Sequence, residues 1–217
     1  MQIILASANA KKIKELKAIL GYENIVSYEE ILGKFEIVEN GKSFLQNAWI
    51  KARTIEERLG DREGDYLVVA DDSGLCVEAL GGMPSIYSAR FGSISASLSE
   101  LREGRFDPPS EGRSDEENNL KLLEYLRESG VSESGAKFVC AIAVCGRVGG
   151  ERIERECSGE LEGKVIFSSL NPQAFGYDPL FVPKGYEITL DKIEEKNSIS
   201  HRYHALQKLK DSLKGLL

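Results

Sequence analysis

The run Tyr66-Leu-Val-Val-Ala-Asp-Asp-Ser-Gly-Leu75 constrains this chain more than any other stretch, because an apolar segment stops abruptly at two adjacent carboxylates. Val68, Val69 and Ala70 suit a strand covered on both faces. Ser73-Gly74 reads as the turn that lets Asp71 and Asp72 emerge where the sheet ends. Successive strand residues point to opposite faces, so the two carboxylates are expected to divide their labour. One would hold a hard cation or a water, and the other would pin the turn by accepting backbone N–H bonds. Taken locally, an Asx-rich turn after a strand explains the same residues, and only the rest of the chain decides between these readings.

At 217 residues and 41% hydrophobic, the chain can bury a substantial core, as one large domain or as two lobes sharing a sheet. No apolar run approaches the roughly 20 residues of a membrane span, and Met1-Gln-Ile-Ile-Leu-Ala6 lacks a basic signal-peptide start. A cytoplasmic location is expected. Cys76, Cys140, Cys145 and Cys157 form no C-x-x-C pair or zinc-like spacing, so they read as buried, reduced thiols. The formal charge of −7 argues against a nucleic-acid coat, while an anionic small molecule stays open where basic residues gather.

In chain order, Gln2 to Ala6 reads as a first strand, followed by Ser7-Ala-Asn-Ala-Lys-Lys12 and a helix with Ile13, Leu16, Ile19 and Leu20 on one face. Asn9 as N-cap would leave N–H groups and the positive dipole end above the sheet, with Lys11 and Lys12 adding charge. That outlines a phosphate cradle without Walker spacing, and a capped surface helix fits the same residues. Glu36 to Gly41 reads as a short strand ending in an acidic turn that carries Glu39. Ser43 and Gln46 then form a capping-box pattern for a helix to about Leu59, with Asn47 and Lys51 along one line of it.

Gly81, Gly82 and Pro84 make the approach to Arg90 loop-like. Phe91 to Arg113 is polar and rich in Gly, Ser and Pro, and it reads as an exposed, mobile insertion, with the 1–217 chain otherwise one domain of two lobes. Ser114 to Glu117 is a second capping box, leading a helix with Leu120, Leu122, Leu123 and Leu126 on its apolar face. Ala136 to Arg147 and Arg152 to Leu161 read as strands joined at Val148-Gly-Gly150, hence antiparallel neighbours. The expected fold class is α/β, a mixed twisted sheet flanked by helices. Asn171 to Pro183 is an aromatic, turn-rich segment, and Tyr203 to Leu217 a last helix with Leu206, Leu209 and Leu213.

Six motifs in order complete the reading: Ser7-x-Asn9-x-x-Lys12, Glu39-x-Gly41-x-Ser43-Phe44-x-x-Asn47-Ala48, Ala70-Asp-Asp-Ser-Gly-Leu75, Tyr87-Ser-Ala-Arg90, Phe175-Gly-Tyr-Asp178 and Lys196-x-x-Ile199-Ser-His-Arg202. Each is weak alone, but together they resemble the inosine triphosphate pyrophosphatase family, the Ham1-like enzymes. The resemblance covers nearly the whole chain outside Phe91 to Arg113. It implies hydrolysis of non-canonical purine nucleoside triphosphates (inosine, deoxyinosine and xanthosine triphosphates) to monophosphate and pyrophosphate, with Mg2+, in a cleft between two lobes of a homodimer. Carried over residue by residue, it implies that Ser7, Ala8, Asn9, Ala10, Lys11 and Lys12 cradle the triphosphate. Glu39 and Asp72 would hold magnesium, with Asp72 also the general base. Lys51, Ser73 and Arg90 would line the phosphate side, and Phe175, Gly176, Tyr177, Asp178, Lys196, His201 and Arg202 would hold base and sugar.

Magnesium takes oxygen ligands and retains waters, so two carboxylates plus phosphate oxygens satisfy it, and no nucleophilic side chain is required. Two features depart from the family pattern. Many relatives carry a glutamate where this chain has Gln46, which keeps the cap with Ser43, and Phe91 to Arg113 is longer than expected. Two rival functions fit part of these motifs: a Maf-type pyrophosphatase of pyrimidine nucleotides, and a non-catalytic nucleotide sensor. The Phe175 to Asp178 and Ser200 to Arg202 motifs argue against the first, and Glu39 with Asp72 against the second.

Overall fold

The structure is a computed structural model that describes every residue except Pro172 and Leu217; the side chain of Lys11 also lies outside what it describes. The chain runs β1 (Gln2–Leu5), α1 (Ala10–Leu20), β2 (Ile25–Ser27), α2 (Tyr28–Leu32), α3 (Phe44–Leu59), β3 (Tyr66–Val77), α4 (Leu98–Glu103), α5 (Asp115–Glu128), β4 (Glu133–Val148), β5 (Glu151–Ile166), β6 (Phe181–Pro183), α6 (Lys196–Ile199) and α7 (His201–Ser212). The six strands form one sheet in the order β2-β1-β3-β4-β5-β6. β1 pairs in parallel with β2 and β3, and β5 pairs antiparallel with β6, so the expected mixed sheet is what forms.

The chain divides into two compact units, one of residues 1–72, 140–159 and 202–217, the other of 73–139 and 160–201. In the first unit the strand period of two sorts the core. Ile3, Leu5, Leu67, Val69, Ile142 and Val144 pack with Leu16 and Leu20 of α1 and Leu206 and Leu209 of α7. Ile4, Val68, Ala70 and Ala143 face the other way, onto Ala48, Ala52 and Ile55 of α3. α3 starts where the cap predicts: Ser43 Oγ accepts from Gln46 N at 3.2 Å. The reciprocal arm is displaced by one residue, since Gln46 Oε1 accepts from Lys42 N at 2.7 Å, so Gln46 serves the helix start.

In the second unit, Leu75, Val77, Phe138, Val165 and Phe181 of the strands are covered by Leu122, Leu123, Tyr125 and Leu126 of α5 and by Phe91 and Leu101. The reciprocal capping box of Ser114 and Glu117 starts α5 as expected.

These expectations need correction. The last helix, α7, ends at Ser212, short of the expected Leu217, which lies outside the described residues. β3 does not turn at Ser73-Gly74 but continues to Val77, so Asp71 and Asp72 leave it in mid-strand. Glu36 to Gly41 makes no strand. Leu120 is 52% exposed, and Asn118 and Asn119 take the buried positions instead. The first half of Phe91 to Arg113 is well packed: Phe91, Ile94, Leu98 and Leu101 are core residues, and α4 is held by its own capping box, Ser97 with Glu100. Only from Arg102 onward is the segment mostly exposed, with Phe106 half-buried and Pro109 buried. The short elements β2, α2 and β6 lie outside the sequence reading.

Candidate active site

The alternation that sorts the core also parts the two carboxylates. Asp71 follows Leu67 and Val69 onto the α1 and α7 face, and Asp72 follows Val68 and Ala70 onto the α3 face. Asp71 is 8% exposed and accepts from Lys12 Nζ at 2.9 and 2.8 Å, with Arg202 Nε 3.6 Å from Oδ2. Arg202 Nη1 in turn lies 3.8 Å from Glu15 Oε2. Burial alone would raise the Asp71 pKa, but Lys12, Arg202 and Lys51 outweigh it and hold the carboxyl well below the usual range. The two carboxylates do face apart, and Asp71 pairs with two side-chain cations where bonds to a backbone turn were expected.

On the opposite face, Asn47 Nδ2 donates to Asp72 Oδ2 at 3.0 Å, and Lys51 Nζ lies 3.7 Å from Oδ1. The same ammonium donates to Glu39 Oε2 at 2.7 Å. Burial raises the Asp72 pKa against the opposing pull of Lys51 and Asn47. Burial lowers that of Lys51, but Asp72 and Glu39 more than compensate, so it rises and the ammonium stays charged. Asn47, 1% exposed, also accepts from Gly41 N at 2.8 Å, so one amide fixes both Asp72 and the turn carrying Glu39. A Cβ on Gly41 would come within 2.6 Å of Asn47 Oδ1, so this close approach requires glycine. The four-residue spacing of Asn47 and Lys51 was the sequence signal for this arrangement, although Asn47 is absent from the expected site residues.

Glu39 and Asp72 converge on one positive charge. No group of three or more His, Cys, Asp or Glu able to hold a metal occurs among the described residues. The position between the two carboxylates is taken by the Lys51 ammonium, and Glu39 and Asp72 are oxygen donors of the kind a hard cation takes alongside water or phosphate oxygens.

The remaining cradle residues are less engaged. Ser7 Oγ accepts from Asn9 N at 3.2 Å, which tightens the loop, and Ala8, Asn9 and Ala10 are exposed at the start of α1. Asn9 O accepts from Ile13 N at 3.2 Å, as a residue at the N-cap position would.

The second unit carries the other expected residues. Ser73 continues β3, and Arg90 lies on the 3-10 helix Ser85–Ser93 with its guanidinium 5.9 Å from the Tyr87 ring centre. Phe175 is 66% exposed. Gly176 takes φ +56°, Tyr177 is buried with its hydroxyl donating to Ser88 O at 2.7 Å, and Asp178 Oδ2 accepts from Lys196 Nζ at 2.6 Å. Burial raises the Asp178 pKa, opposed by Lys196. His201 stacks on Phe138, ring centres 5.0 Å apart and 13° from parallel. Arg202, expected with this group, belongs by its contacts to the Asp71 and Glu15 cluster. A concavity of about 760 Å3 elsewhere in this unit is lined by Cys76, Lys137, Glu162, Lys164 and Tyr186 and holds none of the expected site residues.

Against known proteins, a model of the Ham1 family matches residues 3–212. A dITP/XTP pyrophosphatase of Campylobacter jejuni is 41% identical over 219 residues, covering 100% of this chain and 98% of its own. One from Clostridium perfringens is also 41% identical, over 222 residues with the same coverage. Among solved structures, the Ham1 protein of Staphylococcus aureus superposes with a TM-score of 0.79 at 30% identity over the whole of both chains. A HAM1 protein from Coxiella burnetii gives 0.80 at 30% identity over 99% of each.

Proposed function

We propose, from the premise that this chain belongs to the Ham1 family, that it is a nucleoside-triphosphate pyrophosphatase. It hydrolyses non-canonical purine nucleotides, the deoxyinosine, inosine and xanthosine triphosphates, to the monophosphate and pyrophosphate. The observation that carries the reading is Asp72, a half-buried carboxylate with a raised pKa, held by Asn47 and facing a cation shared with Glu39. A carboxylate whose pKa is raised by burial is a better proton acceptor than an ordinary one once it is ionised.

In the reaction a water oxygen adds to the α-phosphorus, and the bridging oxygen leaves with pyrophosphate. Asp72 takes the proton of that water. Asn47 keeps one carboxylate oxygen bonded and so fixes the orientation of the other. Lys51 and Lys12 supply positive charge for the phosphate oxygens, a task of positioning and electrostatics more than covalent chemistry. Magnesium, for which Glu39 and Asp72 are the fitting ligands, would neutralise triphosphate charge and lower the pKa of the attacking water. The exposed ring of Phe175 stacks any purine, and Lys196 with His201 offers donors to a six-position carbonyl. The reading includes a cytoplasmic homodimer, on the strength of the family resemblance.

The test is pyrophosphate release with Mg2+ from deoxyinosine, xanthosine and adenosine triphosphates. Turnover of the first two is expected, with kcat/KM roughly a hundredfold above that for adenosine triphosphate. No release, or a preference for pyrimidine triphosphates, would overturn the proposal.

A further inference from the structure

α5 buries two adjacent asparagines, Asn118 and Asn119, at 2% and 4% exposure, where its pattern calls for an apolar residue. Buried amides are tolerated where their polar atoms are bonded, and these two bond to two different loops, with Asn119 Oδ1 alone left without a partner among the described residues. Asn118 Oδ1 accepts from Gly92 N at 2.8 Å, and its Nδ2 reaches Arg113 O at 3.2 Å and Ala89 O at 3.4 Å. Asn118 thus grips the 3-10 helix on both sides of Arg90. Asn119 Nδ2 donates to Gly176 O at 2.8 Å, while Asp115 Oδ2, one helical turn earlier, accepts from Gly176 N at 2.7 Å. Both peptide groups that flank the Gly176 Cα are therefore fixed from α5. The glycine holds a left-handed φ of +56°, and the exposed Phe175 directly precedes it.

We infer that Asp115 and Asn119 are positioning residues for the purine, setting the Phe175 ring through Gly176, and that Asn118 is the corresponding positioning residue for Arg90 and the phosphates. The inference rests on the proposed function. A ring on a loose loop must be ordered at each binding event, and a loop fixed from the helix has met that entropy beforehand.

The test uses inorganic tripolyphosphate, which lacks a base, as a competitive inhibitor beside deoxyinosine triphosphate as substrate, both with Mg2+. Asp115→Ala and Asn119→Ala should each raise KM for the nucleotide roughly tenfold, the worth of about one hydrogen bond, and leave the tripolyphosphate Ki unchanged. Asn118→Ala should raise both. Asp115 is exposed, so its variant folds and decides the question if Asn119→Ala does not. An unchanged KM in Asp115→Ala, or a parallel rise in the tripolyphosphate Ki, overturns the inference and leaves α5 with a packing role. Failure of the wild-type protein to hydrolyse the nucleotide is a separate result, which removes the functional reading and this inference with it.

Discussion

Asp71 and Asp72 are neighbours in sequence with opposite relations to folding, and this yields a paired prediction. The Asp71 pKa is held low by Lys12 and Arg202, so its stabilising contribution is fully present above the unfolded value and is lost as pH falls through the folded one. The Asp72 pKa is raised, so ionisation of this group weakens the fold as pH rises through it. Asp71→Asn should therefore cost about 3 kcal/mol at neutral pH by leaving two cations without their counter-charge. That is toward the low end for a broken buried pair, because Lys12 keeps 26% side-chain exposure. Asp72→Asn should raise Tm slightly while lowering kcat by roughly 100- to 10,000-fold. Thermal melts of both variants at pH 7 check the signs, and a Tm that falls equally in both refutes the division. In the wild type, kcat/KM should fall on the acid side at a pH above the ordinary carboxylate range, as protonation of Asp72 removes the proposed base. The pair itself was legible from the run that precedes it. The partners of Asp71 were not, since Lys12 lies 59 positions away and only the folded sheet brings it near.

Among the elements, α4 gives the sharpest departure from composition. The polar character of Phe91 to Arg113 hides four apolar residues that reach the core, spaced to fit a short helix and its approach. Leu101, 1% exposed, should cost about 2–4 kcal/mol when cut to alanine, whereas the exposed Glu103→Ala should stay within about 0.5 kcal/mol. Urea melts separate these outcomes, and a neutral Leu101→Ala would return the whole segment to the status of a loose insertion. Elements with a local signature were readable: the caps at Ser43 and Ser114, the apolar stripe of α1, and the Gly149-Gly150 hairpin. Elements whose only support is a neighbour were not. β2 and β6 are three residues each and exist by pairing with β1 and β5, while Glu36 to Gly41 has strand-like residues but no ladder to join. The extension of β3 past Gly74 has the same cause, since sheet pairing overrides the turn preference of Ser-Gly.

At the scale of the whole molecule, the division into units falls between His201 and Arg202, within a single motif. His201 rests on Phe138 in one unit, and the guanidinium of Arg202 is paired with Asp71 and Glu15 in the other. A residue with that pairing has a folding role as well as any role toward the purine, and the two must be separated by measurement. Hypoxanthine carries a carbonyl oxygen at the six position, where adenine carries an amino donor. A site offering donors there accepts the first and meets the second donor to donor, at about 1–3 kcal/mol for each group left unpaired. Arg202→Ala is accordingly expected to lower Tm, through the loss of one of the two cations paired with Asp71. It should also lower the ratio of kcat/KM for inosine over adenosine triphosphate by roughly tenfold. The ratio is the informative quantity, because a reduced folded fraction affects both substrates equally and cancels. Phe175→Ala should weaken both nucleotides and leave the ratio unchanged, since stacking is indifferent to the six-position group. If Arg202→Ala lowers Tm with the ratio intact, the guanidinium serves Asp71 alone, and discrimination at the six position falls to the donors of Lys196, His201 and the backbone.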